Sequence, residues 1–554
     1  MIFIVNNRKL QRVIALPFML PKEAIAGKKV SVKGEARGIM EEFSCFREKM
    51  SRSLALSAHY HQRTKYDPQT LSKRGKSLDW SQQPSPFKGY KIGTSYDLKP
   101  YLELDRNEPQ WENLSYLLLL SYGLTAKIPT FGGDFVYLRT APSAGGLYPA
   151  ELYLISRGTE LLPAGLYHYQ PQTHTLLRFW DNHCWVDLQE ACFRHPALEK
   201  TQLALVTTAI FYRSAWRYEA RAYRRIFLDT GHLLGNVNLA ATAHGFRPHL
   251  IGGFSDRLMN QLLYLDGETE AVTSIMALNP QPQATSHGKT ALPSPVSFNY
   301  PDLAEDELLK ALHEASMIQA KSSVPPHQPN LLEDKYNFPF CLKVSLANTD
   351  AENRYRQRID WGEDQEDLEE TLLKRRSTRA YTGEDLTLEE LQLILHFTYH
   401  PEDYGEQGLL GDPDYFDLSL IETFVAVSGV EGLEAGCYYY APKAQALRQI
   451  RFKNFREELH YLCLGQDLGR DAAALVFHTA DLGAAVSRYG DRAYRYLHMD
   501  AGQLGQRLNL AAIQLDLGVS GIGGFFDDQV NEVLGIPDDE AVLYVTTLGV
   551  PEQG

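Results

Sequence analysis

Two tempos of apolar and polar positions run along this chain, and each occurs twice. Short apolar runs at 152–155 and 423–427 are each followed by a G-x-Y-x-Y stretch, 165–169 and 436–440. Runs of this length, rich in apolar and aromatic residues and bounded by turn formers, predict strands. Next come two long stretches, 218–243 and 489–515, with Leu, Ala and aromatics at mixed three- and four-residue spacings. That spacing predicts a helix in each. A Gly-Gly-Phe string follows both. The second copy then predicts a short helix from near Asp528 to a stop at Gly535, and a closing strand over 543–548. Strands and helices together give an α+β class.

The two units are copies of one another. RYEARAYR at 217–224 recurs as RYGDRAYR at 488–495, an offset of 271. The same offset carries Asp229 to Asp500, Gly231 to Gly502, and the I-G-G-F string at 251–254 to that at 522–525. Between 217 and 256, eighteen of forty positions match their partners. One register held without a gap excludes chance, and the period is far too long for a solenoid. The chain therefore carries a duplicated domain.

The second copy opens with 386–399, where Thr387 and Glu390 form a capping box before an apolar helical run. Its counterpart in the first copy is expected over 113–123. Residues 281–300 are rich in Pro and Ser and read as linker, followed by an exposed helix over 303–320 and a second Pro-rich stretch over 322–330. The expected organisation is an N-terminal segment of unassigned fold (1–95), a first module (96–280), a linker with a helix (281–365) and a second module (366–554).

Composition narrows the class. Apolar residues make up 44% and charged residues 22%, which suits a globular enzyme. No apolar run approaches the ~20 residues of a membrane span, and no signal-peptide order opens the chain. A cytoplasmic protein without a membrane partner is expected. The six cysteines lack a C-x-x-C pair and the seventeen histidines lack metal spacing, so no metal is expected. The net charge of −14 argues against nucleic acid. Residues 1–80 carry a local excess of +9, which suits either an acidic partner or a solvated arm.

Three strings carry candidate chemistry. Arg375-Arg376-Ser377-Thr378-Arg379 gathers guanidiniums and a hydroxyl, which suit a phosphate and a polar chain. Pro142-Ser143-Ala144-Gly145-Gly146 lets backbone approach a flat ligand. The pairs Gly252-Gly253 and Gly523-Gly524 do the same. No G-x-G-x-x-G follows a strand and no Walker motif is present, so no Rossmann dinucleotide site is indicated.

Together these strings resemble the nitroreductase superfamily, and within it the SagB/ThcOx-type FMN-dependent dehydrogenases that oxidise azolines to azoles in ribosomal peptides. The likeness rests on YHQRTK at 60–65, LDW at 78–80 with Pro86-Phe87-Lys88, RTAPSAGGLYP at 139–149, the R-R-S-T-R string and G-I-G-G-F at 521–525. It spans about residues 58–554. In this superfamily one protomer supplies R-x-S-x-R and Gly-Gly and the other supplies Pro-Ser, so the resemblance implies a dimer fused into an intrachain pseudo-dimer. The motifs are divided between the copies. The first copy has Leu98–Leu102 where the second has its arginines, and the second has Pro413-Asp-Tyr-Phe-Asp417 where the first has P-S-A-G-G. One FMN per chain is implied, bound by Arg375, Arg376, Ser377 and Arg379 with Arg139, Pro142, Ser143, Ala144 and Gly145, and completed by Ile522, Gly523 and Gly524. The azoline branch is associated with a Lys-Tyr pair before the long helix. Here the positions read Arg217-Tyr218 and Arg488-Tyr489, so Tyr is the candidate acid/base, and Arg cannot serve as a base.

Three functions stay open at this point: azoline oxidation on a modified peptide, FMN-dependent reduction or dehydrogenation of a small molecule such as a nitro compound or quinone, and a non-catalytic peptide-binding scaffold. Whether the copies pair within a chain or between the chains of a homodimer is equally open.

Overall fold

The computed structural model describes residues 54–73, 78–103, 108–130, 135–280, 291–321, 333–338, 341–346, 359–361, 365–411 and 413–552. Most of the basic N-terminal stretch, Cys45, the 281–290 part of the linker and the Pro-rich 322–330 lie outside the described residues. Among the described residues no helix is long and apolar enough to cross a membrane.

Each copy forms a seven-stranded antiparallel sheet. The first contains β1 (Thr94–Asp97), β4 (Ala150–Ser156), β5 (Gly165–Gln170), β6 (Thr175–Trp180), β7 (Leu203–Ile210), β8 (Phe246–Leu250) and β9 (Glu270–Pro280), in the order β1-β6-β5-β4-β7-β9-β8. The second contains β10 (Leu342–Ser345), β11 (Glu422–Val427), β12 (Gly436–Ala441), β13 (Ala446–Arg451), β14 (Ala474–Asp481), β15 (Gly518–Ile522) and β16 (Glu540–Gly549), in the order β10-β13-β12-β11-β14-β16-β15. Tyr153 faces Val206 across β4 and β7, and their repeat partners Phe424 and Phe477 face each other across β11 and β14. The duplication is therefore preserved to the level of register. The central strands β4 and β11 are buried along their whole length, which is why they read as unbroken apolar runs. A further hairpin, β2 (Leu124–Pro129) with β3 (Phe135–Arg139), belongs to the first copy.

The long helices differ from their sequence reading at the N-terminal end. They run over Ala222–Ala243 and Ala493–Gln514. Each is preceded by a short helix, Phe211–Tyr218 or Leu482–Tyr489, and one 3-10 turn. The break falls at Glu219 and Gly490, both at positive φ (49° and 63°), where a right-handed helix cannot continue. The Arg-Tyr pairs thus close a short helix instead of opening the long one. Both long helices are buried almost all round, so they lack the apolar stripe of a surface helix.

These two helices pack against each other and join the copies within one chain. They cross at Gly231 and Gly502. A methyl on Gly231 would lie 2.1 Å from the Met499 carbonyl oxygen, and one on Gly502 would lie 2.3 Å from that of Leu228. Two reciprocal ion-pair sets flank the crossing. Arg221 and Arg224 of the first copy reach Asp527 of the second at 2.8 and 2.7 Å. Arg492 and Arg495 of the second reach Asp256 of the first, both at 2.7 Å. All six side chains are buried. Burial alone would raise both carboxyls, but the paired arginines hold them below their ordinary value.

Segments read as accessory supply the remaining acceptors. Arg224 donates to the carbonyl of His61 (2.7 Å) and Arg221 to that of Thr64 (2.7 Å), both at the end of helix Leu56–Arg63. Arg495 and Arg492 donate to His313 and Ser316 carbonyls, 3.0 and 3.1 Å away. The linker helix, over Leu308–Ala315, is therefore not exposed as its sequence suggests. It buries Leu308, Leu312 and His313 against the junction. The stretch read as linker also contributes β10 to the second sheet.

Asp527→Asn keeps the shape of the side chain and leaves two buried guanidiniums without a counter-charge. The expected loss is about 3–5 kcal/mol, measured as a lower urea midpoint. A loss below about 1 kcal/mol would show that these pairs do not hold the copies together.

Candidate functional site

Thr378 pins the R-R-S-T-R string to β15. Its N–H donates to the Val519 carbonyl and its Oγ1 accepts from the Val519 N–H, each at 2.9 Å. The flanking Ser377 and Arg379 both line a cleft between the copies. Opposite stands the P-S-A-G-G loop of the first copy. Its turn needs glycine, because Gly145 and Gly146 sit at φ 65° and 66°. Asp229, on the long helix, anchors the loop by accepting from Ser143 Oγ (2.6 Å) and the Ala144 N–H (3.1 Å). The Gly521–Gly524 backbone forms the third wall.

The cleft has a main chamber of about 890 Å³ and a side chamber of about 130 Å³. Ala144, Gly145, Arg225, Arg379, Gly521 and Gly523 line both, so the chambers adjoin. Their combined size suits a cofactor or small ligand. Glycine is required where the walls approach closely. A methyl on Gly523 would lie 2.2 Å from Arg225 Nη1, and one on Gly145 would lie 2.7 Å from Tyr218 Oη. At the mouth, Trp80 packs edge-on to Trp216 at 5.5 Å, and Tyr212 is half exposed.

Of the residues the sequence singled out, Pro142, Ser143, Ala144, Gly145, Ser377, Arg379, Ile522, Gly523 and Gly524 come together here. Arg217 and Tyr218 join them. Three predicted cofactor ligands stand behind the walls instead. Arg375 is buried and spends its Nε and Nη2 on the carbonyls of Thr140 and Arg139, which ties the second copy to the first; burial lowers its guanidinium to about 10. Arg376 donates to the carbonyls of Leu373 and Arg375. Arg139 sits in an aromatic box, 4.2 Å from the Tyr122 ring and 4.8 Å from that of Tyr148, and donates to the Pro86 carbonyl. None of the three lines the cleft, although Arg375 Nη1 and Arg139 Nε and Nη1 are buried without a hydrogen-bond partner.

The position related to this cleft by the repeat is filled. Asp414 Oδ2 accepts from the Gly252 N–H at 2.7 Å, and its two oxygens lie 2.8 Å from His249 Nε2 and 3.0 Å from His195 Nε2. These three side chains offer ligand atoms within 4.8 Å of one another, and each contact is of hydrogen-bond length. Ala291 and Leu292 press on Gly252 and Gly253, so close that a methyl on either glycine would overlap them. Tyr496, the repeat partner of Arg225, donates to the Gly252 carbonyl (2.6 Å), with the Leu292 carbonyl 3.0 Å from the same hydroxyl.

The two Arg-Tyr pairs part company accordingly. Tyr489 is buried and donates to Asp417 at 3.2 Å; burial and that carboxylate raise its phenol. Arg488 lies 3.5 Å from Asp417. Neither lines the cleft, so their candidacy as catalytic groups has no geometry behind it. Tyr218 and Arg217 face the cleft.

Sequence reading missed Arg225 and Asp229 as site residues. Asp229 was visible as a conserved partner of Asp500 in the repeat, and Asp500 holds the other loop through the Asp417 N–H at 3.1 Å. Arg225 left no such signal, because the repeat replaces it with Tyr496. Burial raises the Asp229 carboxyl to about 7, against the Ser143 and Ala144 hydrogen bonds and the charge of Arg225.

A family model described as the nitroreductase family matches residues 104–278 and 372–550. A candidate nitroreductase of Methanocaldococcus jannaschii is 34% identical over 176 residues, 32% of this chain and 88% of that protein. The microcin B17-processing protein McbC of Escherichia coli is 30% identical over 143 residues, 24% of this chain and 51% of that protein. The trifolitoxin-processing protein TfxB of Rhizobium leguminosarum is 27% identical over 179 residues, 31% of this chain and 48% of that protein. The chain thus spans about half the length of these two processing proteins. A crystal structure of a candidate nitroreductase from Anabaena variabilis superposes with a TM-score of 0.84 at 62% identity, covering 90% of this chain and all of that one.

Because the folded Asp229 carboxyl titrates at about 7 and an unfolded one near 3.9, the folded state keeps a proton that the unfolded state releases between these values. The stability Asp229 contributes is full below about pH 4 and is lost as pH rises through 7, at up to about 1.4 kcal/mol per pH unit. Asp229→Asn removes this component. The difference in unfolding free energy between the parent and the variant is expected to shift over pH 4–8, and a constant difference contradicts the assignment.

Proposed function

The chain belongs to the nitroreductase family and is an oxidoreductase with two such domains in tandem, and on that premise we propose that it binds one FMN in the cleft between them. The observation that carries this is the division of the two related positions. One cleft keeps Arg379 and Ser377 opposite the P-S-A-G-G loop, while Asp414, Tyr496 and Leu292 fill the other. The walls suit the group: glycines where a methyl would clash, an exposed guanidinium for a phosphate, and a hydroxyl beside it. Arg379 and Ser377 would hold the phosphate and polar chain, with Gly523, Gly524, Ala144 and Gly145 against the ring. FMN bound there supplies the two-electron acceptor.

The chain's own residues provide position and proton handling. Tyr218 is the acid/base we assign, since its hydroxyl stands against Gly145 on the cleft wall. Asp229 fixes the Pro-Ser loop and so the width of the cleft. The substrate we assign is an azoline ring in a ribosomally made peptide, oxidised to an azole. Two features support it: the similarity to microcin and trifolitoxin processing proteins, and an aromatic mouth (Trp80, Trp216, Tyr212) on which a chain of residues can lie. A second reading, turnover of a small nitro compound or quinone, is favoured by one observation. Arg217 stands where a lysine base would be, and it cannot take a proton.

Flavin counted per chain after reconstitution is expected to be near one. Arg379→Ala is expected to weaken FMN binding by 10- to 100-fold, read by fluorescence quenching. Two flavins per chain, or an unchanged affinity, would contradict the composite cleft. A thiazoline-bearing peptide incubated with the loaded chain should lose two hydrogens by mass. An unchanged mass together with turnover of menadione would move the small-molecule reading to first place.

A further inference from the structure

Nearly all the buried arginines of the junction and its surroundings are accounted for by the chain itself. Arg221, Arg224, Arg492 and Arg495 meet aspartates, and Arg213 meets Glu151 at 2.6 Å. Arg225 differs. It is 7% exposed and, unlike the others, forms no ion pair or hydrogen bond at all among the described residues; nitrogens of Arg139, Arg221 and Arg375 also lack a partner, but each of those guanidiniums has other bonds. Its guanidinium carbon lies 3.8 Å from the centre of the Tyr218 ring. A charge buried with no partner is costly, by several kcal/mol in typical proteins. An anionic ligand would supply the missing charge.

Arg225 lines both chambers of the cleft and lies against Gly523. Arg217 flanks the same tyrosine ring from 5.7 Å and lines the main chamber. Among the described residues no carboxylate forms an ion pair with either, although the charge of Arg225 acts on Asp229. Asp79 is engaged by Ser81 and Gln82 in its own turn. Glu219 is exposed at the mouth. Asp229 sits one turn along the helix with its oxygens on Ser143 and Ala144. In the filled, repeat-related position the residue equivalent to Arg225 is Tyr496, neutral and hydrogen-bonded to the plug. Among the described residues, the filled position thus has a neutral, hydrogen-bonded group where the open cleft has a guanidinium without an ion pair.

We propose that Arg225, with Arg217 across the Tyr218 ring, forms an anion subsite in the cleft, and that the substrate presents a carboxylate or equivalent anionic group to it. This rests on the cleft being the FMN-binding substrate site proposed above. Arg379, at the far wall, is left for the cofactor phosphate. The second source of the same chemistry is the negative charge that the cofactor takes up on reduction, and the test separates the two.

Benzoate is titrated into the FMN-loaded chain while the visible flavin band is followed, with benzyl alcohol as the neutral control. Benzoate should perturb the band saturably and benzyl alcohol should not. Arg225→Met is expected to weaken benzoate binding at least tenfold and Arg225→Lys to fall between. Flavin content and melting temperature show whether each variant is folded. If Arg225→Met leaves benzoate binding intact and lowers the flavin potential by about 30 mV, a tenfold effect for a two-electron couple, the anion is the cofactor's own, which overturns the substrate assignment and keeps Arg225 as the charge partner. If neither quantity moves, the subsite does not exist. If no FMN loads, the functional proposal fails. The rise in melting temperature of the unloaded chain with benzoate, lost in Arg225→Met, then tests the subsite by itself.

Discussion

Two aspartates hold this molecule in one arrangement. Asp256 and Asp527, related by the repeat, each accept two arginines from the long helix of the opposite copy. A buried carboxylate with two guanidiniums is tolerable only when every partner is in place, so the helices cannot slide or rotate without exposing uncompensated charge. The glycine crossing at Gly231 and Gly502 fixes their separation. The helix at 56–63 and the linker helix supply the carbonyls that complete the arginines. The junction in turn sets where Arg379 and Gly523 of one copy stand relative to Gly145 and Asp229 of the other.

Fusing two copies removes the symmetry that a homodimer imposes on its two sites. In this chain one position is open and lined by glycines and a free guanidinium. The other is closed by a carboxylate, a tyrosine and a piece of linker that follows the first module directly. Closure uses groups that satisfy one another: Asp414 takes the Gly252 N–H and faces two histidines, and burial of its carboxyl is offset by those histidines, which hold it below its ordinary value. The open position carries the opposite signature. Burial raises Asp229 there, and among the described residues Arg225 has no ion pair or hydrogen bond. A buried polar group left unsatisfied by the chain calls for an explanation, and at this position the proposal supplies a ligand.

The duplication, the α+β class and the split of motifs were legible because they depend on which residues recur at a fixed offset. What depends on three-dimensional satisfaction was not. The break before each long helix hinges on positive φ at one residue, and Glu219 gives no warning of it. The linker helix reads as exposed because its buried side is only Leu308, Leu312 and a histidine. Arg375 and Arg139 read as ligands because arginine is the residue that grips phosphate, yet carbonyls and aromatic rings engage them first. Arg225 was invisible for the converse reason, since a lone arginine in a helix announces itself only by what fails to surround it.

The central claim is a single working cleft in an internally paired chain, and a crystal structure of the chain grown with excess FMN tests it most directly. The account predicts flavin density between Gly523–Gly524 and Ala144–Gly145, with the phosphate at Arg379, and Asp414 and Leu292 unmoved on Gly252 and Gly253. Flavin density at Gly252–Gly253, with Ala291–Leu292 displaced, would contradict it.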